Sequence, residues 1–322
     1  MKKRTVVVTA VVLTMLASVA QAQGYPARPI RVILAVPAGG TPDVMARTVT
    51  PAMSRVLGQN LVVDNRPGAG GLIGTELAAK SAADGYTLLV SSPGPLTIVP
   101  HLQKQLGYDP LRDFVPIGLI SSNPFLLVVH PSVPAKSVKE LVAIARAAPG
   151  KLNYASAGNG AANHLAMELF KSMAQINITH VPYKGAPQAV SDMVAGHMNM
   201  MFNSIPPVLS FIKAERVRAL GVGGARRSVQ LPEVPTIAEA GVPGYEAITW
   251  FGFLAPARTP KAIVAQLSDA LVKALNAPET RSVIEAQGMD SGTGRAEEFA
   301  ALIKREYQRN AHVVKISGAK ID

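Results

Sequence analysis

A short apolar run that leads into a glycine-rich break and a helix start is the feature that most constrains the fold of this chain. Ile30 to Val36 is rich in β-branched residues, as is typical of a buried strand. Gly39 and Gly40 interrupt the run, and Thr41-Pro42-Asp43 has the composition of a helix N-terminus. Free backbone N–H groups and the positive end of the helix dipole would make such a turn an anion site. An ordinary tight turn of an α/β domain has the same pattern, so this stretch alone leaves both interpretations open.

Short apolar runs alternate with helical patterns along the rest of the chain, which predicts an α/β fold with mainly parallel sheets. The tail is predicted to be helical, with a last helix from about Ala296 to Ile316. Asn123-Pro124 makes a very short break between two apolar runs, and Gly223-Gly224 loosens the chain after a later strand. We interpret these positions as crossings between two lobes. The first lobe would hold residues 23–123 and 225–322, the second residues 124–224, and a ligand cleft would lie between them.

The first 22 residues are predicted to be a cleaved signal peptide. Lys2, Lys3 and Arg4 precede an apolar stretch that is too short to span a membrane comfortably, and Ala20-Gln21-Ala22 has a small-x-small cleavage pattern. We therefore expect cleavage after Ala22 and an exported mature protein that starts at Gln23. A retained anchor helix is the alternative.

Composition excludes several classes of function. The chain has no cysteine, which excludes disulfides, thiolate catalysis and cysteine-based metal sites. The net charge of +11 falls to +8 without the three basic residues of the leader, and the remaining basic residues are scattered among few aromatics, so nucleic-acid binding is not indicated. The six histidines show no metal-ligand spacing and there is no G-x-S-x-G motif, so we predict no catalytic residue, no metal and no cofactor.

The glycines between residues 68 and 74 superficially resemble a dinucleotide-binding fingerprint. Asn65-Arg66-Pro67 separates them from the preceding strand, and no acidic residue ends a following strand at the required distance. We interpret the segment as a second glycine-rich turn between a strand and a helix.

Four strand ends share a composition of small and polar residues without lysine or arginine: Ala38 to Asp43, Ser91 to Gly94, Ser156 to His164, and Asn203-Ser204. Ligands lie outside the carboxyl ends of strands in open parallel sheets. Backbone N–H groups and hydroxyls at these ends could hold a carboxylate without a buried cation. Asp43 is the exception in this set, and we favour a structural or gating role for its carboxylate.

The motifs together resemble the Bug family, the periplasmic solute receptors of tripartite tricarboxylate transporters. The resemblance rests on motifs that occur in the family's order over nearly the whole mature chain: VPAGGTPD at residues 36–43, NRPGAGG at 65–71, YASAGNG at 154–160, HVPYKG at 180–185, and WFG at 250–252 with Ala255-Pro256 and Thr259-Pro260. One departure is Pro42, where many members have another residue, but proline suits the first turn of a helix.

The resemblance implies a type II periplasmic-binding-protein fold whose two lobes close on a small carboxylated solute. It assigns ligand contacts, largely through backbone groups and ordered waters, to Ala38, Gly39, Thr41, Asp43, Ser92, Ser156, Ala157, Gly158, Asn159 and Asn203. It also implies a monomer that works with membrane transporter subunits or with the ectodomain of a sensor kinase. A signalling receptor of the same fold stays open as an alternative, and a periplasmic hydrolase or oxidoreductase is less favoured.

Overall fold

The structure is a computed structural model that describes residues 24–103 and 105–319. The predicted signal peptide and its cleavage site lie outside the described residues. The described chain forms two α/β lobes, each built around one sheet with helices packed on both of its faces.

The sheet of the first lobe has six strands. They are Ile30–Leu34 (β1), Leu61–Asn65 (β2), Thr87–Ser91 (β3), Phe114–Pro124 (β4), Ile248–Pro256 (β10) and Asp290–Ser291 (β11). Their spatial order is β11-β4-β10-β3-β1-β2. β1 pairs in parallel with β2 and β3, whereas β10 runs antiparallel to β3 and β4.

The sheet of the second lobe has five strands. They are Leu126–Val129 (β5), Asn153–Ser156 (β6), Thr179–Pro182 (β7), Met200–Asn203 (β8) and Arg218–Val222 (β9). Their order is β7-β6-β8-β5-β9, with β6 parallel to β7 and β8, and β5 antiparallel to β8 and β9. The α/β two-lobed fold is confirmed, but both sheets are mixed rather than mainly parallel. The antiparallel strands β5 and β10 enter their sheets directly from the other lobe, without the crossover helix that a parallel neighbour requires.

The helices follow the strands in the predicted alternation. They are Thr41–Leu57 (α1), Leu72–Ala79 (α2), Val99–Leu102 (α3), Val138–Ala147 (α4), Ala162–Ala174 (α5), Ala186–Val194 (α6), Pro206–Lys213 (α7), Lys261–Asn276 (α8), Pro278–Ala286 (α9) and Ala296–Ser317 (α10). Within the described residues, none of these helices has the length and apolar character needed to cross a membrane.

The apolar run of β1 explains why the first lobe is layered. Val32 and Leu34 pack in one cluster with Met45 of α1, whereas Ile33 packs in another with Trp250. Because side chains alternate across a strand, a run that is buried on both faces must be apolar almost throughout. The sequence pattern of this strand therefore follows directly from its central position.

The first crossing between lobes runs from β4 into β5, with only Phe125 between them. The packing after residue 224 continues in the second lobe, because Val234 clusters with Val222, and Tyr245 clusters with Phe202. The division of the chain at residues 124 and 225 stays a prediction. We propose that the return crossing is β10.

The last helix, α10, contacts both lobes. Phe299 near its start packs in the first-lobe cluster that contains Trp250, and Val313 near its end packs in the second-lobe cluster that contains Tyr154. The helix therefore joins the two lobes in addition to the crossing from β4 into β5.

Candidate functional site

A cleft of about 750 Å³ lies between the two lobes. Residues from strand ends and helix starts of both lobes line it, together with the crossing segments Phe125 and Thr249. The parallel strands β1, β6 and β8 all point their carboxyl ends at this cleft. It is the position at which open α/β sheets bind ligands.

The first-lobe loop, residues 37–40, is the last part of the connection from β1 to α1. Gly39 has a φ of +80°, which glycine adopts without steric cost. Gly40 is the N-cap of α1 and Pro42 lies in its first turn, where a missing N–H costs nothing. Gly40 and Thr41 line the cleft, so the N-terminus of α1 opens onto it.

Asp43 holds the first-lobe loop from behind. It is only 4% exposed. Its carboxylate accepts hydrogen bonds from the Gly39 N–H at 3.0 Å, the Arg47 Nε at 3.0 Å and the Asn65 Nδ2 at 3.0 Å. Burial alone would raise the pKa of Asp43, but the hydrogen bonds from Arg47, Gly39 and Asn65 outweigh it, so the pKa lies below its usual value. The Asp43 carboxylate is hydrogen-bonded to three donors of the protein itself, which supports the structural role predicted for it.

The second-lobe loop, residues 157–161, connects β6 to α5. The Ala157 N–H donates to Asn163 Oδ1 at 3.2 Å, and the Gly158 N–H donates to Ser156 Oγ at 3.1 Å. The Gly160 N–H donates to His164 Nδ1 at 3.2 Å. Within the described residues, the N–H of Asn159 has no such protein acceptor, and Asn159 lines the cleft.

Four helices begin at the cleft. The first residues of α1, α2, α5 and α6 all line it: Thr41, Leu72, Ala162 and Ala186. The N–H groups in a helix's first turn have no acceptor within the helix, and the helix dipole places partial positive charge there. The Leu72 N–H at the start of α2 is bonded to the Ala69 carbonyl oxygen, so this helix offers its dipole and later N–H groups. A negatively charged group bound in this cleft would be stabilised by the dipoles of these four helix ends together.

The lining is otherwise largely apolar and carries little side-chain charge. Among the described residues that line the cleft, Lys184 is the one lysine or arginine, and its side chain is exposed. Phe125, Tyr183 and Phe251 contribute aromatic surface, and Thr41, Asn203 and Ser204 contribute polar groups.

The two lobes touch each other across the cleft. Thr41 Oγ1 of the first lobe lies 2.5 Å from Ser204 Oγ of the second. A methyl group at Gly70 would lie 2.7 Å from the carbonyl oxygen of Asn159, and one at Gly185 would lie 2.4 Å from Pro37 Cγ. These glycines allow the backbones of opposite lobes to approach closely, so the structure is in a closed arrangement.

Six of the ten residues predicted to contact ligand line the cleft, and four do not. The six are Thr41, Ser92, Ala157, Gly158, Asn159 and Asn203. Ala38 and Gly39 belong to the first-lobe loop without lining the cleft, Asp43 lies behind that loop, and the Ser156 hydroxyl is fully buried and bonded within the protein. Direct ligand contact by any of the ten stays a prediction.

Two segments that line the cleft have no predicted site residue. One is the glycine-rich turn before α2, residues 67–72, and the other is the turn before α6, residues 182–187. Both follow the carboxyl end of a strand and precede a helix, but Arg66 and Lys184 lie at these two strand ends. The composition rule of small and polar residues without lysine or arginine therefore excluded them.

The described residues contain no group of three or more histidine, aspartate or glutamate side chains that could hold a metal ion. The cleft offers neutral hydrogen-bond donors and helix ends instead. Two α/β lobes that enclose such a cleft define a binding protein of the periplasmic type, built to surround a small solute.

Comparisons with known proteins agree with this class. The sequence matches the family described as "Tripartite tricarboxylate transporter family receptor" over residues 45–319. It is 38% identical to Protein BugT of Bordetella pertussis over 307 residues, which is 95% of this chain and 94% of BugT. The chain therefore belongs to the tripartite tricarboxylate transporter receptor family.

Solved structures of similar proteins have the same fold. R. palustris Rpa4515, solved with adipate, is 35% identical with a TM-score of 0.89, and the match covers 92% of this chain and 100% of that one. MatC from Rhodopseudomonas palustris, solved with malate, is 30% identical with a TM-score of 0.86, and the match covers 90% of this chain and 100% of that one.

Proposed function

We propose that this protein captures a small organic carboxylate between its two lobes. The observation that carries the proposal is the convergence of four helix N-termini on one cleft, in which Lys184 is the one cation among the described lining residues. A carboxylate would receive hydrogen bonds from backbone N–H groups, each worth roughly 1.5–3 kcal/mol because the acceptor is charged. Several such bonds reach the roughly 8 kcal/mol that micromolar affinity requires. The adipate and malate of the similar structures are acids of this kind.

Binding would shift the lobes toward the closed arrangement. The contacts of Thr41 with Ser204 and of Gly70 with Asn159 form only when the lobes are together. A ligand that touches both loops favours the closed state by its differential affinity for that state. The family membership supports delivery of the captured acid to membrane subunits of a tripartite tricarboxylate-type transporter, and we place the mature protein in the periplasm.

We further propose that the acid is bound without chemical conversion. Ser156 and His180 lie 2.6 Å apart and resemble a nucleophile and its base. The Ser156 hydroxyl is fully buried, however, and also accepts the Gly158 N–H, so it is not presented to a ligand. Mass spectrometry of an acid incubated with the purified protein should recover it unchanged.

A thermal-shift screen tests the proposed function. The panel contains adipate, malate, benzoate and citrate, each with its uncharged amide as the matched control. At about 100 times the dissociation constant, a bound acid adds roughly 2.7 kcal/mol of stability, which raises the melting temperature by several degrees. We expect at least one acid to stabilise the protein and its amide not to. Equal stabilisation by acid and amide would show that the cleft does not select the carboxylate.

A further inference from the structure

Three aromatic rings stack behind the second-lobe loop. The ring centroids of Tyr154 on β6 and His180 on β7 are 4.7 Å apart. The ring centroids of His180 and of His164 on α5 are 4.2 Å apart, with an angle of 7° between the ring planes. Strand pairing sets Tyr154 opposite His180. The stack therefore joins two strands and the helix that begins at the cleft.

The two histidines of this stack reach the backbone of the loop. His180 Nε2 is 2.6 Å from Ser156 Oγ, which accepts the Gly158 N–H at 3.1 Å. His164 Nδ1 directly accepts the Gly160 N–H at 3.2 Å. The two rings thus support one loop at two residues. His180 supports Gly158 through Ser156, and His164 bonds Gly160 directly.

The loop needs such support because its own backbone is unusual. Gly158 has a φ of +127° and Gly160 a φ of +75°. Glycine has more conformational freedom in the unfolded and unrestrained chain than any other residue, so two glycines do not fix this shape by themselves. In the observed loop shape, the Asn159 N–H has no acceptor among the described residues, and Asn159 lines the cleft.

The stack sits in surroundings that keep it neutral. Burial, followed by the electrostatic influence of the His164 and Lys171 side chains on a protonated ring, lowers the pKa of His180 to about 3. The Lys171 ammonium pairs with Glu168 at 2.6 Å, and the same Glu168 oxygen accepts the Tyr154 hydroxyl at 2.5 Å. His164 Nδ1 must be unprotonated to accept the Gly160 N–H. The site therefore holds the loop with neutral hydrogen bonds and places no extra charge behind it.

We infer that His180 and His164 are positioning residues that fix the second-lobe loop in the shape that binds the carboxylate. The inference rests on the proposed function, because the loop shape matters for binding only if a carboxylate binds in the cleft. His180 acts through Ser156 on Gly158, and His164 acts on Gly160. Neither ring is among the residues that line the cleft, so their effect on a ligand would be indirect.

Amide hydrogen exchange of the ligand-free protein tests the loop assignment without any ligand. The variants are Ser156→Ala, His180→Phe, which keeps a ring for the stack, and His180→Gln, which restores a nitrogen that can bond Ser156. We expect the Gly158 amide to exchange about tenfold faster in the first two variants and near the native rate in the third, as loss of one local hydrogen bond implies.

The matched control is His130→Phe. His130 Nδ1 bonds Ser132 Oγ at 2.8 Å and accepts the Ser132 N–H, so it forms a similar histidine–serine pair. This pair follows the carboxyl end of β5, whereas the cleft lies at the other end of that strand. This variant should leave the Gly158 amide unchanged. Equal exchange at Gly158 in native protein and in both Ser156→Ala and His180→Phe would overturn the inference.

Affinity for whichever acid of the panel stabilises the protein most provides the second readout. Ser156→Ala and His180→Phe should each weaken binding about fivefold, with no further loss in the double variant, because both remove one chain of hydrogen bonds. Faster exchange with unchanged affinity, or additive losses, would overturn the positioning role. If none of the four acids binds the native protein, exchange alone decides the loop assignment and the proposed function is what fails.

Discussion

The two loops that face each other across the cleft are built alike but are held in different ways. Each follows a buried parallel strand and ends at a helix N-terminus, and each has glycine at positive φ: Gly39 in the first-lobe loop, Gly158 and Gly160 in the second. The first-lobe loop is fastened by a buried carboxylate, Asp43, which Arg47 neutralises. The second-lobe loop is fastened by a hydroxyl and neutral imidazoles through Ser156, His164 and His180.

The difference shows two solutions to one electrostatic problem. A loop that presents N–H groups to an anion is weakened by any uncompensated negative charge behind it. On the first lobe the charge of Asp43 is balanced by Arg47 and spread over three donors. On the second lobe the Glu168 carboxylate of the charged pair with Lys171 accepts a hydrogen bond from the Tyr154 hydroxyl and not from the loop. The two loops should therefore depend on these supports to different degrees.

The largest effect is expected from Gly158→Val. A β-branched residue at a φ of +127° is strained, and its Cβ would approach the Tyr183 carbonyl oxygen to 3.0 Å. Backbone strain of about 1–3 kcal/mol should reduce affinity for the stabilising acid roughly 10- to 100-fold, as measured by isothermal titration calorimetry.

Gly150→Val is the control for this substitution. Gly150 also has a positive φ, of +74°, but it lies outside the cleft lining, with its nearest neighbour 3.7 Å from an added Cβ. The Gly150→Val variant should have a lower free energy of unfolding and an unchanged affinity for the stabilising acid. A similar loss of affinity in both variants would mean that general destabilisation, and not the shape of the second-lobe loop, controls binding.

A smaller effect is expected from Asp43→Asn. The change keeps the shape of the side chain but removes the charge that accepts hydrogen bonds from Arg47 and Gly39. Loss of charge-assisted bonds at a buried site should lower the free energy of unfolding by about 1–3 kcal/mol in urea titrations. Glu279→Gln, which removes an exposed ion pair with Arg55, should cost less than about 1 kcal/mol. If both variants lost equal stability, the buried support of the first lobe would be no stronger than a surface ion pair.

The next effect is the dependence of stability on pH, which differs between His180 in the second lobe and Asp43 in the first. The folded pKa of His180 lies below its ordinary value of 6.5, so only the unfolded chain gains this proton as pH falls from about 6.5 to 5. Stability is therefore complete above about pH 6.5 and decreases by at most about 2 kcal/mol by pH 5, less after solvent screening. The lowered pKa of Asp43 acts in the same direction only below about pH 4, its ordinary range.

Urea unfolding at pH 7, 6 and 5 measures this window. His180→Phe should reduce the loss of stability between pH 6.5 and 5, whereas Asp43→Asn should leave that loss unchanged. A native pH profile that His180→Phe does not alter would show that the histidine stack takes up protons in the folded state.

The smallest effect is expected from Lys184→Ala. The side chain lines the cleft but is exposed, and an exposed cation adds little to the binding of an anion that helix ends already hold. The dissociation constant for the stabilising acid should change by about twofold or less. A large loss of affinity would show that the second lobe binds charge with a charged side chain, which would remove the contrast with the first lobe.

Local sequence patterns were enough to predict most elements of the fold. The apolar run at Ile30 and the glycine-rich turns fixed the positions of strands and helix starts, and the last helix, Ala296–Ser317, ends one residue beyond its predicted end. The same patterns did not predict that β5 and β10 run antiparallel to their neighbours. Strand direction depends on which lobe the chain arrives from, and that information is absent from the strand itself.

The candidate site divides in the same way. The sequence by itself determined that four strand ends carry backbone donors without cations, because residue type and turn chemistry are local properties. Only the tertiary structure decided that Thr41 meets Ser204, that Gly70 meets Asn159, and that His180 on one strand stacks on His164 of a helix. These contacts join segments that are distant in the chain, and their geometry follows from how the two lobes and their layers pack.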